Sequence, residues 1–135
     1  MRNPKEQSKR WLKQSEYDLS EAKEKLNGKS FAYACFYSEQ SAQKAIKAFL
    51  IYNGKRFITI HSVGELLKEA SLINNLFAPL VEAGKTLDRY YLSSRYPDAL
   101  PEPAIPYESF TFSEMKEAVS IAQKIFDACK KAIVE

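Results

Sequence analysis

SFAYACFYSEQSAQKAIKAFLIYN, residues 30–53, is the stretch on which the fold turns. Phe31, Ala34, Cys35, Ser38, Ala42, Ala45, Ile46, Phe49 and Leu50 recur at helical spacing and make one wide apolar arc. Tyr33, Phe36, Tyr37 and Ile51 add apolar bulk on the remaining sides. A helix that is apolar nearly all round has to be covered on several sides. The segment therefore predicts a central rod, either at the heart of a bundle or as half of a subunit interface. Ser30 is placed to cap its start and Gly54 to stop it.

Outward from this rod the pattern stays helical. Residues 4–27 read as a first helix, with Asn3 as N-cap, Pro4 in the first turn and Glu6 at the capping-box spacing. Trp11, Leu12, Ser15, Leu19, Ala22 and Leu26 fall on its inner arc, and Gly28 is the expected left-handed cap at its end. After a loop over 54–61, Ser62 and Glu65 open a third helix over 62–71, which Asn74-Asn75 interrupts. A fourth helix is predicted over 77–93, with Phe77, Leu80, Val81, Leu87 and Tyr91 facing inward. Gly84, which lowers helix stability by about 1 kcal/mol against Ala, marks a place for a break. Residues 95–110 hold Pro97, Pro101, Pro103 and Pro106 and read as an extended loop. Thr111 and Glu114 cap a last helix over 112–133, whose arc carries Ala118, Val119, Ala122, Ile125, Phe126, Cys129, Ala132 and Ile133. The expected fold is all-α, an up-down bundle of four to five helices forming one domain over 1–135.

Composition narrows the function classes. Of 135 residues, 45% are hydrophobic and 27% charged, the balance of a folded soluble chain. No apolar run is long enough to cross a bilayer. Met1-Arg2-Asn3-Pro4-Lys5 is polar and lacks the core of a secretion signal, so a cytoplasmic setting is expected. Two cysteines, at 35 and 129, do not make a disulfide framework and sit on apolar arcs as small core residues. A single His leaves little scope for a His-rich metal site. No Gly-rich phosphate loop, paired-Cys motif or nucleophile elbow occurs. The net charge of +3 permits an anionic partner without demanding one.

Three polar features remain. Gln40, Lys44 and Lys47 make a stripe on the second helix, and residues 40–64 hold four cations (Lys44, Lys47, Lys55, Arg56) and no acid. This is either a phosphate-binding surface or a solvated helix face. Glu39 projects toward the apolar arc and requires a partner there. Ser94-Arg95-Tyr96-Pro97-Asp98 places an Arg where the fourth helix meets the proline-rich loop. That Arg can answer the helix dipole, fork onto Glu39 or Asp18, or hold a phosphate. His61, just before the third helix, serves as a hydrogen-bonding residue or, as the less favoured role, a proton carrier. Asp18, flanking the first helix's arc, suits a structural ion pair.

Taken in order, these residues resemble the HEPN domain family. The resemblance is carried by Trp11 with Asp18-Leu19 and Ala22, Tyr33-Ala-Cys-Phe36, Glu39-Gln40-Ser-Ala-Gln-Lys44-Ala-Ile-Lys47-Ala, and His61-Ser62 before Leu66-Leu67. It ends with Tyr90-Tyr91-x-x-x-Arg95-Tyr96-Pro97-Asp98 and covers residues 8–130. The resemblance implies a helical bundle that commonly dimerises. It implies a small stand-alone prokaryotic protein that partners a minimal nucleotidyltransferase, often as a toxin–antitoxin pair. Other members are metal-independent ribonucleases, which depend on an Arg followed four to six residues later by a His near the position of Arg95. Here Leu100, Pro101 and Glu102 stand where that His belongs. Arg56-Phe-Ile-Thr-Ile-His61 has the right spelling, but it lies between the second and third helices, ahead of the family's position, and reads as coincidence. Gln43 stands where many relatives carry Glu.

The expectation is therefore a non-enzymatic binding module for nucleotide, RNA or a nucleotidyltransferase. Gln40, Lys44, Lys47, Arg95, Tyr96 and Asp98 form the ligand-binding set, and Asp18 and Glu39 the structural ion-pair set. Tyr33, Phe36 and Tyr37 form a homodimer surface, aromatic residues being enriched in interface cores. No metal or organic cofactor is implied. A ribonuclease using His61 with Arg56 or Arg95 is the first alternative, and a ligand-free structural bundle the second.

Overall fold

A computed structural model of the chain describes residues 3–133; Met1 and Arg2 of the polar N-terminal stretch lie outside the described residues, as do Val134 and Glu135. Helix α1 spans Pro4–Asn27 and starts where Asn3 accepts hydrogen bonds from the backbone N–H groups of Lys5 and Glu6. It ends in a Schellman motif in which Ser30 N–H reaches Lys25 O at 2.8 Å and Lys29 N–H reaches Leu26 O at 3.2 Å. The left-handed cap falls one residue later than the glycine suggests. Gly28 keeps φ −83, and the left-handed conformation falls on Lys29 at φ 61. That conformation is worth roughly 1 kcal/mol less to lysine than it would be to glycine.

Helix α2, Phe31–Tyr52, is closed in the same way by Gly54 at φ 91, with Lys55 N–H on Leu50 O at 3.0 Å. Ser30 precedes α2 but its side chain makes no cap bond. Helix α3 spans Val63–Ile73. Ser62 Oγ accepts from Glu65 N–H at 3.1 Å, while Glu65's own carboxylate turns to Lys68, so only half of the expected capping box forms. The other N-terminal donors of α3 go to Asp88, which takes Val63 N–H at 2.6 Å, Gly64 N–H at 3.1 Å and the Ser62 hydroxyl at 2.7 Å.

The predicted fourth helix is not continuous. Asn75–Leu80 is a 3₁₀ segment, helix α4 runs Val81–Asp88, Arg89 interrupts, and helix α5 is the single turn Tyr90–Ser93. Pro79 lacks the N–H that an α-helical register would use, so regular α-helix begins only beyond it. Gly84 lies inside α4 and does not break it. A Cβ there would sit 2.4 Å from Leu67 Cδ1 and 3.1 Å from Val63 Cγ1, so the glycine exists for the close approach of α3 to α4. The proline-rich stretch holds two short 3₁₀ turns, Pro97–Ala99 against α5 and Pro106–Glu108 against α2. Helix α6, Phe112–Ala132, begins with a complete Thr111–Glu114 capping box.

Helix α2 is the axis of the assembly, with α1 and α6 along it and α3 to α5 against its remaining flank. Ile46, Leu66, Leu67, Phe77, Leu87, Met115 and Ile125 are fully buried around it. The seam between α1 and α2 is small and polar instead. Ser15 Oγ donates to Ser41 O at 2.7 Å, Ser41 Oγ donates to Ser15 O at 2.9 Å, and Ser8 Oγ donates to Ala48 O at 2.7 Å. Short hydroxyls bonded across to backbone carbonyls let the two rods lie close while each hydroxyl keeps a partner. Cys35 and Cys129 are both inaccessible, and burial pushes the Cys35 thiol up to about 12 and raises that of Cys129 as well. Among the described residues, no helix is long and apolar enough to cross a membrane.

Filling the α3–α4 approach should be costly. Gly84→Val places methyl groups against fully buried Leu67 and Val63, and we expect a loss of about 1–3 kcal/mol. It reads as a lower urea midpoint with unchanged slope, while far-UV circular dichroism keeps its helical shape.

Candidate functional site

Phe36, Gln40, Gln43 and Lys47 recur at i, i+4, i+7 and i+11 and line one side of α2. Glu39 lies beside this row with its side chain fully buried. Its carboxylate accepts Gln40 Nε2–H and Gln43 Nε2–H, each at 2.8 Å, and no cation among the described residues bonds to it. The Gln43 carbonyl oxygen then accepts Lys47 Nζ at 3.0 Å and meets His61 Nδ1 at 3.3 Å. Because that oxygen can only accept, Nδ1 is the donor in this contact. The His61 ring stacks on Tyr91 with centroids 6.0 Å apart and planes 11° from parallel.

Tyr91 connects this row to Arg95. One α-helical turn separates them, so Arg95 folds back and donates Nε and Nη2 to Tyr91 O at 3.2 and 2.7 Å, satisfying a carbonyl at the end of α5. The guanidinium carbon lies 4.3 Å from the Phe36 ring centroid, 4.9 Å from Tyr96 and 5.3 Å from Tyr91, and Nη1 touches the Tyr96 hydroxyl at 3.5 Å. Three aromatic faces and a carbonyl hold the Arg95 cation, and no carboxylate among the described residues bonds to it.

The charges at this site are out of their usual balance. Burial pushes the Glu39 carboxyl up to about 7, with the two amide bonds pulling the other way, Asp88 adding repulsion and Arg95 attraction. Burial also lowers the Lys47 ammonium from its ordinary value, opposed by Glu39 and assisted by Lys44. Lys47 is only 6% exposed; its contacts are the neutral Gln43 oxygen and the Trp11 ring, 5.7 Å from Nζ.

The residues expected at the site are thus divided. Arg95, Tyr96, Gln40, Lys47 and His61 fall along one connected row. Lys44 turns toward α1, where it pairs with Asp18 at 2.5 Å. Asp98 is exposed on the Pro97–Ala99 turn, which Tyr96 precedes. Glu39 finds amides in place of an ion-pair partner, and Arg95 forks onto neither Glu39 nor Asp18. Arg56 lines a separate groove with Pro4, Gln7 and Ile51, while His61 rests on Gln43 and Tyr91. Tyr33 is exposed; Tyr37 meets Phe36 edge-on at 5.4 Å, and Phe36 is the platform beneath Arg95. Tyr91 and Gln43 are the central residues that sequence reasoning left outside the site. Their spacing was a usable signal: Gln43 lies four residues from both Glu39 and Lys47, and Tyr91 four before Arg95.

This all-helical bundle matches a known class of protein. The HEPN domain matches residues 8–132, and the chain belongs to that family. The crystal structure of TT1696 from Thermus thermophilus is 34% identical to it and superimposes with a TM-score of 0.86, over 93% of this chain and 97% of that one. ST0689, described as an archaeal HEPN homologue, is 36% identical with a TM-score of 0.76, over 94% and 98% of the two chains. A Methanocaldococcus jannaschii protein named "Putative toxin MJ1304" is 26% identical over 136 residues, spanning 95% of this chain and 89% of that protein.

The raised carboxyl has a thermodynamic signature. Between 4.5, the ordinary value, and about 7, the folded Glu39 holds a proton that the unfolded one has released. Its contribution is therefore complete at the acid end of that window and is lost as pH rises through 7. The stability difference between wild type and Glu39→Gln should shift against wild type from pH 5 to pH 8 by on the order of 3 kcal/mol. Urea unfolding of both proteins at the two pH values measures it.

Proposed function

We propose that this protein is a non-enzymatic HEPN module that binds a phosphate-bearing ligand, a nucleotide or RNA, at Arg95. It would serve as the HEPN component of a toxin–antitoxin pair with a minimal nucleotidyltransferase. The supporting observation is the way Arg95 is held. Three of its five N–H donors go to Tyr91 O and Tyr96 Oη, which leaves two for a ligand. A guanidinium fixed by aromatic faces without an anion is preorganised for phosphate, since binding need not break an existing ion pair. Tyr96, about half exposed at 51%, offers a ring beside it for a base or sugar. Gln40 and Lys47 extend the polar row away from it. The name of the M. jannaschii relative supports the toxin side of the reading, and the family resemblance supports the nucleotidyltransferase partner. Exposed Tyr33 with Tyr37 is the surface for a second copy.

A ribonuclease reading is favoured by one observation: His61 and Arg95 both rest against Tyr91, with Gln43 engaging His61 through Nδ1 and not Nε2.

Two experiments separate these readings. Arg95→Ala should weaken binding of AMP and of a short RNA at least tenfold by calorimetry, with Arg95→Lys intermediate because the planar fork is gone. Unchanged affinity in Arg95→Ala removes the proposal. Incubating RNA with wild type and with His61→Ala should leave it intact in both cases. Cleavage by wild type that His61→Ala abolishes would establish the ribonuclease instead.

A further inference from the structure

We propose that the face around Phe57, on the loop between α2 and α3, docks a partner protein that lays an apolar side chain flanked by carboxylates into the groove beside that ring. The groove has a volume of about 400 Å³ and lies between the start of α1 and the end of α2. Pro4, Ile51 and Phe57 line it with apolar surface, and Lys55 and Arg56 line it with charge. None of its lining residues belongs to the Arg95 site, so this inference stands or falls independently of that reading.

Three observations carry this. First, phenylalanine is doubly disfavoured where it stands. Its backbone lies in the left-handed region at φ 55, which Gly and Asn adopt readily and a bulky side chain does not. Its side chain is 94% exposed, more than any other large apolar one among the described residues, while the next residue, Ile58, packs against the core. A ring that gains no burial within its own chain, on a backbone that resists it, has the marks of a residue kept for an outside contact. Second, the ring borders a ready-made recess. Gly54 keeps that side open, since a Cβ there would meet no atom within 4 Å. A ring beside a recess suits a partner protein that covers the one and fills the other with a side chain, as aromatic anchors do at interface centres. A flat lipid surface would take up the ring and leave the recess empty. Third, the charge around the groove has one sign. Residues 50–61 carry Lys55 and Arg56 and no acid. Arg10 adjoins through Gln7, a lining residue whose side-chain oxygen it reaches at 3.4 Å. No carboxylate lines the groove; Glu6, the acid on the same turn of α1, is not among the lining residues. Carboxylates on the partner complement this rim and orient the apolar side chain between them.

The probe is the peptide fluorescein-Glu-Asp-Leu-Phe-Asp-Glu-amide, titrated with the full chain and followed by anisotropy. Binding should saturate and should weaken as salt is raised. A charge-reversed peptide with Lys in place of each acid, and one with Ser in place of Leu and Phe, should each bind at least about tenfold more weakly. Phe57→Asn should weaken the acidic peptide at least about fivefold, and so should Lys55→Glu, a change at an exposed position. The same Phe57→Asn chain should unfold at a urea midpoint no lower than that of wild type, because Asn tolerates the left-handed backbone. A lower midpoint overturns the inference, since the ring would then serve the fold. Absence of saturable binding overturns it too, as does a Phe57→Asn chain that binds like wild type. Phe57-dependent retention on phosphatidylglycerol vesicles without binding of the peptide would give the surface to a membrane and overturn it as well.

Discussion

A helix covered on most of its sides can keep polar side chains only if each one finds a partner, and α2 carries Ser38, Glu39, Ser41, Gln43 and Lys47 among its buried residues. The arrangement around Glu39 meets this requirement with amides. Gln40 and Gln43 donate to the carboxylate, and Gln43 in turn accepts from Lys47 and His61. Each bond fixes the orientation of the next side chain, because an amide that donates through nitrogen must present its oxygen on the other side. One buried carboxyl thereby sets the attitude of a row of side chains that ends in an exposed imidazole. The serines on the α1 side solve the same problem by bonding to backbone carbonyls.

The cations near α2 fall into different situations. Lys44 meets Asp18 across the α1–α2 seam and is neutralised within the chain. Lys47 and Arg95 are held by neutral groups and aromatic faces, which position a cation without cancelling its charge. A cation held by neutral groups and one held by a carboxylate thus occupy neighbouring turns of one helix. What separates them is whether the facing helix supplies an acid.

Much of the fold was legible as periodicity and punctuation. The long helices α1, α2 and α6 begin and end within a residue or so of where caps, glycines and apolar arcs placed them. The segment 75–93 was not legible, for two physical reasons. Pro79 displaces the start of regular helix, and Gly84 answers to a neighbouring helix that no local pattern reveals. The cap at Lys29 was missed because a Schellman turn needs its left-handed residue at a fixed place in its ring of hydrogen bonds, whichever residue occupies that place. At the site, spacing grouped the polar residues of α2 but could not divide them. Lys44 left the row because Asp18 stands opposite. Tyr91 was assigned inward on its arc, yet is half-buried between His61 and Arg95. Sequence periodicity reports which way a side chain leaves its own helix, and a site is decided by what waits on the neighbouring one.

The two buried thiols have a practical consequence. Nucleophilic sulfur chemistry proceeds through the thiolate, and neither Cys35 nor Cys129 can form one readily where burial holds the proton on sulfur and blocks approach. Labelling by maleimides should therefore be slow while the chain is folded. A cysteine introduced on the surface would be its one reactive handle, so a dye or spin label could be attached without first removing either natural residue from the core.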